Sequence, residues 1–430
     1  LRMILDRLQV LEREGRRVPV AVVGAGQMGS GVIRQLAQLP GIRLTGVCDR
    51  VVERAWEAVA ASGLSADAVE TADEARRVTG EGRVALAQNF SLLLGQADVL
   101  VDATGDPETG ARVALAALRE HKILVSMNVE LDATVGAVLA YLSRAARSLY
   151  TVALGDEPAV LCEMVDFARL LGFEVICAGK GKNNRLDRDA TPASVAEEAA
   201  RWGMNPRMLA AFVDGTKTMA EMTALANAAG LTVDRTGMHG PLANRDDLLR
   251  VFVPEADGGI LTRSGVVEYA IGDVAPGVFV VVRASDERSR RDLEYLRMGS
   301  GPYYVMHRPF HLASLEVPIS VVRAALDGEV TMRAAGAPLV ECVAVAKRDL
   351  AAGEELDGIG GETVYGLAVD ADEARARSAM PVGVVAGGRT RREIARGQVL
   401  TEQDVQLDER SVVVQLRRLQ DALVGAGVLS

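Results

Sequence analysis

The sequence predicts an α/β protein whose N-terminal part is a doubly wound parallel sheet. Two observations predict this fold class. Valine-rich apolar segments alternate with helical segments over residues 18–128, a pattern typical of parallel strands joined by crossover helices. A glycine-rich turn, "VVGAGQMGSG", lies between the first of these strands and the helix after it. Such a turn joins strand and helix closely, so we expect both to belong to one sheet.

The predicted elements of this first domain follow from apolar runs and helical spacing. The run "VPVAVV" is continuous and rich in valine, as a central strand buried on both faces should be. In chain order we predict a charged helix (1–17), a strand (18–23), a helix (30–41), a strand (42–49), a helix (51–63), a strand (97–105), a helix (107–121) and a strand (122–128).

The texture of the sequence changes twice more. After about residue 150, helical segments mix with the strands "FEVICAG" and "GVFVVVRAS", and after about 335 short strands alternate with glycine turns. We therefore predict a dinucleotide-binding domain (1–150), an α+β substrate or catalytic domain (151–334), a small β-rich domain (335–410) and a C-terminal helix (411–430).

Composition limits the classes of partner. The net charge is −10 and the pI about 5.2, which disfavours a nucleic-acid or anionic-membrane partner. The four cysteines form no CxxC pair, no run of 18 apolar residues exists, and no signal peptide opens the chain. We expect a cytoplasmic homo-oligomer that acts on a small molecule.

The glycine turn carries the pattern Gly24-x-Gly26-x-x-Gly29. The first glycine makes a tight turn, the second lets the backbone approach a pyrophosphate, and the third lets the helix pack on the strand. Asp49 ends the next strand, twenty residues beyond Gly29, where an acid can bind ribose hydroxyls. We predict a Rossmann dinucleotide site here, against the alternative of a glycine turn without a ligand.

The choice between NAD and NADP depends on the residues after the second strand. Asp49 suits the ribose of NAD, whereas Arg50 can stack on adenine and pair with a 2′-phosphate. We favour NADP and keep NAD as the alternative. Small residues in "DATG" would let the cofactor pass close, although this segment can also be an ordinary turn. The predicted cofactor-binding residues are Gly24, Ala25, Gly26, Gln27, Met28, Gly29, Asp49, Arg50, Ala103, Thr104 and Gly105.

Lysine is rare in this chain, with five residues against 43 arginines. Lys180 and Lys182 stand one residue apart in "CAGKGKNNRLD", predicted as a loop after a buried strand. Lysine, unlike arginine, can release a proton to a reacting oxygen. We predict that Lys182 donates a proton or stabilises an alkoxide, that Lys180 anchors an anion, and that Asn183 and Asn184 position the substrate. The alternative is a solvated basic turn.

A second lysine stands at a predicted helix start. Thr218 and Glu221 have the spacing of a capping box, which places Lys217 just before the helix, where the dipole would lower its pKa. Asp214 could orient Lys217 or bind a metal. The alternative for Lys217 is a side chain that extends into water.

Further candidates lie on either side of these lysines. Arg308 suits a phosphate or carboxylate, and His311 could move protons or bind metal. The alternative is a strand with an exposed polar face. Asp156 and Glu157 could hold a divalent magnesium or manganese ion, or simply favour a helix start. The metal, if there is one, is left unassigned.

Several of these segments resemble known families. The stretch from "VAVVGAGQMGSG" to "ILVSMNVELD" resembles the N-terminal domain of homoserine dehydrogenase-like proteins, and "VAKRDLAAGEELDGIGGETVYG" with "RGQVLTEQDV" resembles a SAF domain. Together they resemble SAF-containing oxidoreductases, a group that includes DXR-like enzymes of isoprenoid biosynthesis. These reduce and isomerise deoxyxylulose phosphate to methylerythritol phosphate with NADPH.

One position departs from the resemblance. Homoserine dehydrogenases carry Ala-Asn-Lys after the fifth strand, where this chain has Met127-Asn128-Val129. The resemblance adds Asn128 to the predicted cofactor-binding residues, but the missing lysine argues against homoserine itself.

These features together predict an NAD(P)H-dependent oxidoreductase that acts on the carbonyl of a small, oxygen-rich, anionic substrate. The specific hypothesis is the DXR-like reaction. The alternatives are a plain dehydrogenase of a sugar acid, polyol or homoserine-like hydroxy amino acid, and a dinucleotide-binding regulatory protein.

Overall fold

The computed structural model describes residues 3–430, which form sixteen strands and fifteen α-helices. The strands are β1 (Val18–Val23), β2 (Ile42–Cys48), β3 (Ala66–Ala68), β4 (Val84–Ala87), β5 (Val99–Asp102), β6 (Ile123–Ser126), β7 (Tyr150–Val152), β8 (Glu174–Lys182), β9 (Thr232–Val233), β10 (Val266–Ile271), β11 (Val278–Arg283), β12 (Tyr303–Arg308), β13 (Val340–Ala346), β14 (Val364–Asp370), β15 (Arg389–Thr390) and β16 (Val405–Gln406).

The helices occupy most of the chain between these strands. They are α1 (Ile4–Arg13), α2 (Gln27–Gln38), α3 (Val52–Ala61), α4 (Ala72–Gly80), α5 (Pro107–Arg119), α6 (Val129–Ala145), α7 (Glu157–Leu170), α8 (Ala196–Trp202), α9 (Pro206–Val213), α10 (Thr216–Ala229), α11 (Leu248–Val251), α12 (Glu287–Tyr295), α13 (Val317–Asp327), α14 (Ala371–Ala376) and α15 (Val412–Gly425).

The first of two compact units comprises the described residues up to Asp132 together with 138–156 and 312–333. It contains a seven-stranded parallel sheet in the order β3-β4-β2-β1-β5-β6-β7. The strand order reverses between β1 and β5, which is where a doubly wound sheet binds its ligand. Val20 and Val22 of β1 are fully buried, as the continuous apolar run predicted.

The predicted α/β class and N-terminal Rossmann sheet are confirmed. The helix predicted over 1–17 is shorter, at Ile4–Arg13, and the first two residues of that prediction lie outside the described residues. The strand predicted at 97–105 ends at Asp102, because the residues of "ATG" turn out of the sheet to begin the connection to α5.

The second unit comprises 133–137, 157–311 and 334–430. Its main sheet is mixed, in the order β12-β11-β8-β10-β9, with β8 at the centre. Strand β10 runs parallel to β8, and β11 runs antiparallel to it. Helices α7 and α10 pack together and against this sheet, so the side chains that β8 directs to that face are buried beneath them.

A smaller β-rich part follows within the same unit, as predicted. Strands β13 and β14 pair antiparallel, and β15 pairs with β16. Helix α10 packs on both β13 and β14. At its N-terminus the Oγ1 of Thr216 accepts a 2.8 Å hydrogen bond from the amide of Gly366 in β14. The β-rich segment therefore holds the start of α10.

Across residues 3–430, no helix has both the length and the apolarity needed to cross a bilayer.

Candidate active site

The predicted dinucleotide turn forms a close contact between the ends of β1 and β5. Gly24 has φ +100°, and a Cβ there would lie 2.7 Å from the Ala103 carbonyl oxygen. A Cβ at Gly29 would collide with the Gly24 carbonyl oxygen. A Cβ at Gly26 would meet no protein atom within 4 Å. Gly24 and Gly29 are thus required by the fold itself, whereas Gly26 leaves open space at the N-terminus of α2, where backbone amides favour a phosphate.

Asp49 lies beside this turn. Its carboxylate accepts hydrogen bonds from the amide of Ala25 at 2.8 Å and from the amide of Val51 at 2.9 Å. It therefore ties the glycine turn to the end of β2. Arg50 is exposed directly after it, and Gln27 and Met28 are exposed at the start of α2. The structure brings these predicted residues together at the carboxyl end of the sheet.

The "DATG" segment has its own internal bonds. The Oδ1 of Asp102 accepts from the amide and the hydroxyl of Thr104, at 3.0 and 2.7 Å. The Nδ2 of Asn128 donates to the Asp106 carbonyl at 2.9 Å, and its Oδ1 caps α6. Asn128 is fully buried, so its amide fixes the backbone of the site; its predicted contact with cofactor stays a prediction. Gly105 follows with φ +64°.

Lys180 and Lys182 do not lie on a loop, which corrects the sequence prediction. Strand β8 continues to Lys182, and both side chains are 4% exposed. The strand continues because both neighbours pair with it there: Lys180 lies opposite Tyr269, and Lys182 opposite Ile271. Gly181 has no side chain to obstruct this, and a Cβ there would collide with Ala275. Two residues apart on one strand, the lysines point to the same face.

Lys180 is held by two carboxylates. Its Nζ lies 2.5 Å from Oε1 of Glu157 at the start of α7, and it also donates to Oε2 of Glu221 in α10. Burial works against the charged form, but these two carboxylates outweigh it and hold the pKa of Lys180 above its ordinary value. Lys180 is therefore a fixed cation within an ion-pair cluster.

Lys182 has different partners. Its Nζ donates to the side-chain oxygen of Asn184 and, at 2.6 Å, to the carbonyl of Phe212. Burial, and then the positive charge of Lys180, lower the pKa of Lys182 to about 8. Lys182 can therefore gain and lose a proton near neutral pH, as a group that moves protons must. Asn184 contacts Lys182 and Asn183 is exposed; their predicted role in positioning the substrate stays a prediction.

The predicted capping box before α10 is wrong. The helix begins at Thr216, its N-cap is Gly215 at φ +83°, and Lys217 is the second helical residue. The amide of Thr216 donates to Oδ1 of Asp214 at 2.7 Å. Glu221 therefore caps no backbone amide at the start of α10, and its side chain points inward. Its Oε1 lies 3.6 Å from Lys217, so Lys217 joins the ion-pair cluster.

Asp214 does not orient Lys217 either. Its Oδ2 pairs at 2.8 Å with Lys347, at the end of β13, and both side chains are buried. Lys347 also donates to two backbone carbonyls, those of Ala190 and Gly361. Sequence analysis missed Lys347, although its status as the fifth lysine of an arginine-rich chain was a usable signal.

The remaining candidates are more scattered. Nε2 of His311 lies 3.4 Å from Oε1 of Glu157, which brings His311 beside the cluster. Arg308 lies on the edge strand β12 and stacks on Phe310, 4.9 Å from the ring centroid. Asp156 directly precedes Glu157 and is the last residue of its stretch of the first unit.

The predicted metal at Asp156 and Glu157 stays a prediction, and Glu157 also has a lysine partner. The same Oε1 of Glu157 that could bind a divalent ion is 2.5 Å from the ammonium of Lys180. A divalent cation at this oxygen would meet a fixed positive charge, and the second carboxylate, Glu221, also pairs with Lys180. Glu157 and Glu221 thus both bind Lys180, and a metal would have to compete with that lysine.

Comparison with known protein families gives two matches. Residues 155–317 match the family described as oxidoreductase DRL, catalytic domain, and residues 342–406 match the SAF domain. No curated protein sequence matches the chain. The first segment contains all four predicted catalytic residues, and the second contains Lys347. The predicted SAF domain is confirmed.

Several solved structures of dehydrogenases are remotely similar to the chain. One is myo-inositol dehydrogenase from Corynebacterium glutamicum, at 9% identity over 73% of this chain and 90% of that one, with a TM-score of 0.40. Another is scyllo-inositol dehydrogenase from Lactobacillus casei with NAD(H) and scyllo-inositol, at 10% identity over 63% and 74%, with a TM-score of 0.37. A third is the WlbA dehydrogenase from Bordetella pertussis with NADH and UDP-GlcNAcA, at 16% over 70% and 71%, with a TM-score of 0.34.

Similarity as low as this says nothing about the substrate of the chain. The match to an oxidoreductase catalytic domain, beside the Rossmann sheet, shows that the chain is an NAD(P)-dependent oxidoreductase.

Proposed function

We propose that this oxidoreductase interconverts a carbonyl and a hydroxyl on a small, anionic, oxygen-rich substrate, with Lys182 moving the proton. The observation that carries the proposal is the contrast at the end of β8. Lys180 is neutralised by two carboxylates, whereas Lys182 donates only to neutral oxygens and has a pKa of about 8. Only the second lysine suits acid–base chemistry.

The proton balance of the reaction assigns Lys182 its role. A bound nicotinamide dinucleotide supplies a hydride to the carbonyl carbon in reduction and takes it back in oxidation. In reduction the carbonyl oxygen gains the electron pair of the C=O π bond and needs one proton, which the Lys182 ammonium donates. In oxidation the neutral amine of Lys182 accepts the hydroxyl proton. Its remaining hydrogen bonds, to Phe212 and Asn184, hold the amine in place.

NADP is the cofactor that we favour. Arg50 is exposed directly after Asp49, where a guanidinium can pair with a 2′-phosphate, and Asp49 already bonds two backbone amides. A carboxylate engaged in this way competes less with the phosphate than a free one. NAD is the alternative.

A plain dehydrogenase fits the cluster better than a reductoisomerase. The DXR-like reaction, suggested by the sequence resemblance, calls for a divalent metal, and the cluster acids pair with Lys180 instead. The reductoisomerase is the second candidate, because His311 lies beside Glu157 and a histidine nitrogen can bind a divalent metal. Sugar acids, polyols and hydroxy amino acids are the substrates of the first candidate.

The test is NADPH and NADH turnover with sugar phosphates, sugar acids and hydroxy amino acids, with and without Mg²⁺ or Mn²⁺. With the best substrate, Lys182→Met should lower kcat by roughly 10²–10⁴, the usual contribution of a general acid. Lys182→Arg should lose nearly as much, because arginine keeps the charge but cannot release a proton. Lys122→Met, a lysine of the first unit, is the control and should retain turnover.

Three outcomes contradict parts of the proposal. Near-normal turnover of Lys182→Arg would reduce the role of this residue to its charge. Turnover only with a divalent metal and a sugar phosphate would favour the reductoisomerase. Dinucleotide binding without turnover on any substrate would identify a regulatory protein.

A further inference from the structure

A second cation lies beside Lys182, and sequence analysis did not single it out. Arg188, on the loop after β8, donates from Nη1 to the carbonyl of Asp214 at 2.7 Å. Burial and Lys180 lower the pKa of Lys182 most, the carboxylates of Asp214 and Glu221 raise it, and the charge of Arg188 is near enough to lower it further. Both cations thus contact the carboxyl end of α9: Lys182 bonds Phe212, and Arg188 bonds Asp214.

Helix α9 explains why these cations converge. The unpaired carbonyls at a helix C-terminus carry partial negative charge and attract cations. Gly215 makes room, because a Cβ there would lie 3.0 Å from Nη1 of Arg188. Two like charges brought together in this way repel each other, and the carboxylates of Asp214 and Glu221, which raise the pKa of Lys182, offset part of that repulsion.

The aromatic ring of Tyr365 fixes the orientation of Arg188. The guanidinium carbon lies 4.9 Å from the ring centroid of Tyr365, which belongs to β14 of the SAF segment. A guanidinium that lies over a ring face leaves the N–H donors at its edge free for other partners. Within residues 3–430 only one donor of Arg188 is bonded to protein, and no carboxylate pairs with it or with Lys182.

We infer that Arg188, with the charge of Lys182 nearby, binds an oxyanion group of the substrate, phosphate or carboxylate, and that Tyr365 makes the SAF segment a positioning element for it. This inference rests on the proposed function and specifies how the substrate is recognised. Arg188 offers the planar fork that oxyanions prefer, and Lys182, whose third ammonium hydrogen is the proton that it transfers, adds its positive charge nearby. The oxyanion offsets the repulsion between the two cations.

The first test needs no variant. The full chain, saturated with NADP⁺ to fill the dinucleotide turn, is acylated with acetic anhydride, with and without inorganic phosphate or malonate. Acylation of Lys182 is then measured by mass spectrometry. We expect either anion to slow modification of Lys182 and to leave that of Lys122 unchanged. Protection by phosphate alone indicates a phosphorylated substrate, and protection by malonate alone indicates a carboxylic acid. If neither phosphate nor malonate slows the acylation of Lys182, the inference is overturned.

The second test assigns the anion to Arg188. The affinity of the chain for the protecting anion is measured by calorimetry under the same conditions. Arg188→Gln should lower this affinity roughly 10- to 100-fold, the range for hydrogen bonds to charged groups. Arg185→Gln, an exposed arginine of the same loop, is the matched control and should leave it unchanged. Equal affinity in both variants would show that Arg188 only caps α9.

The role of Tyr365 has its own readout. Tyr365→Leu should weaken the anion and raise KM while leaving kcat near normal, because the ring orients Arg188 and does not touch the reacting atoms. Tyr365→Phe keeps the ring and should restore both values. If Lys182→Met lost no turnover but phosphate or malonate still bound through Arg188, the proposed proton transfer would fail and the oxyanion site would stand.

Discussion

Lys180 and Lys182 leave the same face of β8, yet only Lys180 meets carboxylates. The ammonium of Lys180 lies 2.5 Å from Glu157 and also binds Glu221, whereas Lys182 donates to the Phe212 carbonyl and to Asn184. The fixed charge of Lys180 is, after burial, the largest influence that lowers the pKa of Lys182. One lysine therefore sets the proton affinity of the other.

This relationship predicts a pH profile of opposite sign in the two reaction directions. Reduction needs the ammonium of Lys182, so kcat/KM should fall as pH rises past about 8, and oxidation needs the amine, so kcat/KM should rise there. Both profiles are measured with the best substrate of the panel. Lys182→Met should remove the inflection near pH 8 in each direction. An inflection that persists in this variant belongs to another group.

The three glycines of the dinucleotide turn should separate stability from binding. Gly26→Val places its side chain in space free of protein atoms, so the fold should survive while NADPH binding is lost. Gly29→Ala brings a Cβ against the Gly24 carbonyl and should lower the melting temperature. Melting curves and NADPH fluorescence titration measure the two effects. A Gly26→Val protein that binds NADPH normally would show that the cofactor does not approach this turn.

Arg50 decides the cofactor prediction. If its guanidinium pairs with the 2′-phosphate, Arg50→Ala should weaken NADPH by about 1.5–3 kcal/mol and leave NADH nearly unchanged. The neighbouring Arg54→Ala serves as control for the general positive charge of this surface. If Arg50→Ala lost equal affinity for NADPH and NADH, Arg50 would not bind the 2′-phosphate, and NAD would become the favoured cofactor.

The sequence could predict what depends on local pattern. Apolar runs and the glycine spacing were enough for the Rossmann sheet, and short strands with glycine turns were enough for the SAF domain, because each signal lies within one continuous stretch of chain. The unusual use of lysine also drew attention to Lys180 and Lys182, which the structure buries on β8.

What could not be predicted depends on pairing between distant segments. The strand was expected to end before Lys180, but pairing with β11 continues to Lys180 and pairing with β10 continues to Lys182. The Thr218–Glu221 spacing matched a capping box, but Lys180, forty residues away, draws Glu221 inward. Lys347 and Tyr365 lie in the SAF segment, more than 100 residues along the chain from their partners Asp214 and Arg188. No local sequence pattern could link residues so far apart.

The buried pair of Lys347 and Asp214 should make the SAF segment essential for stability. Lys347→Met leaves Asp214 buried without its cation, and loss of one partner of a buried pair costs about 3–5 kcal/mol. Adding Asp214→Asn should recover part of this loss, because no charge then remains. Arg348→Met, which breaks an exposed pair with Glu354, should cost about 1 kcal/mol or less. Urea unfolding measures all three, and an unchanged Lys347→Met would show that the pair contributes no net stability.

Asp132 should make stability fall as pH rises. Its Oδ1 accepts from the hydroxyl of Tyr150 at 2.8 Å, and within residues 3–430 its buried Oδ2 has no hydrogen-bond partner. Burial raises the pKa of Asp132 to about 7, against an ordinary value of 3.8, so between these values the folded chain holds a proton that the unfolded chain has released. The contribution of Asp132 to the free energy of unfolding is therefore complete below pH 3.8 and is lost as pH rises through about 7.

The size of this effect is measured against a neutral isostere. A difference of about 3 pKa units corresponds to a loss on the order of 4 kcal/mol between the two limits. Other carboxylates, such as Glu12, have a lowered pKa and give the opposite trend, so the comparison is the difference between wild type and Asp132→Asn at each pH. That difference should shift against the wild type by most of this amount from pH 5 to pH 8. The exposed Asp292→Asn is the control, and parallel curves for wild type and Asp132→Asn would mean that Asp132 ionises without cost inside the fold.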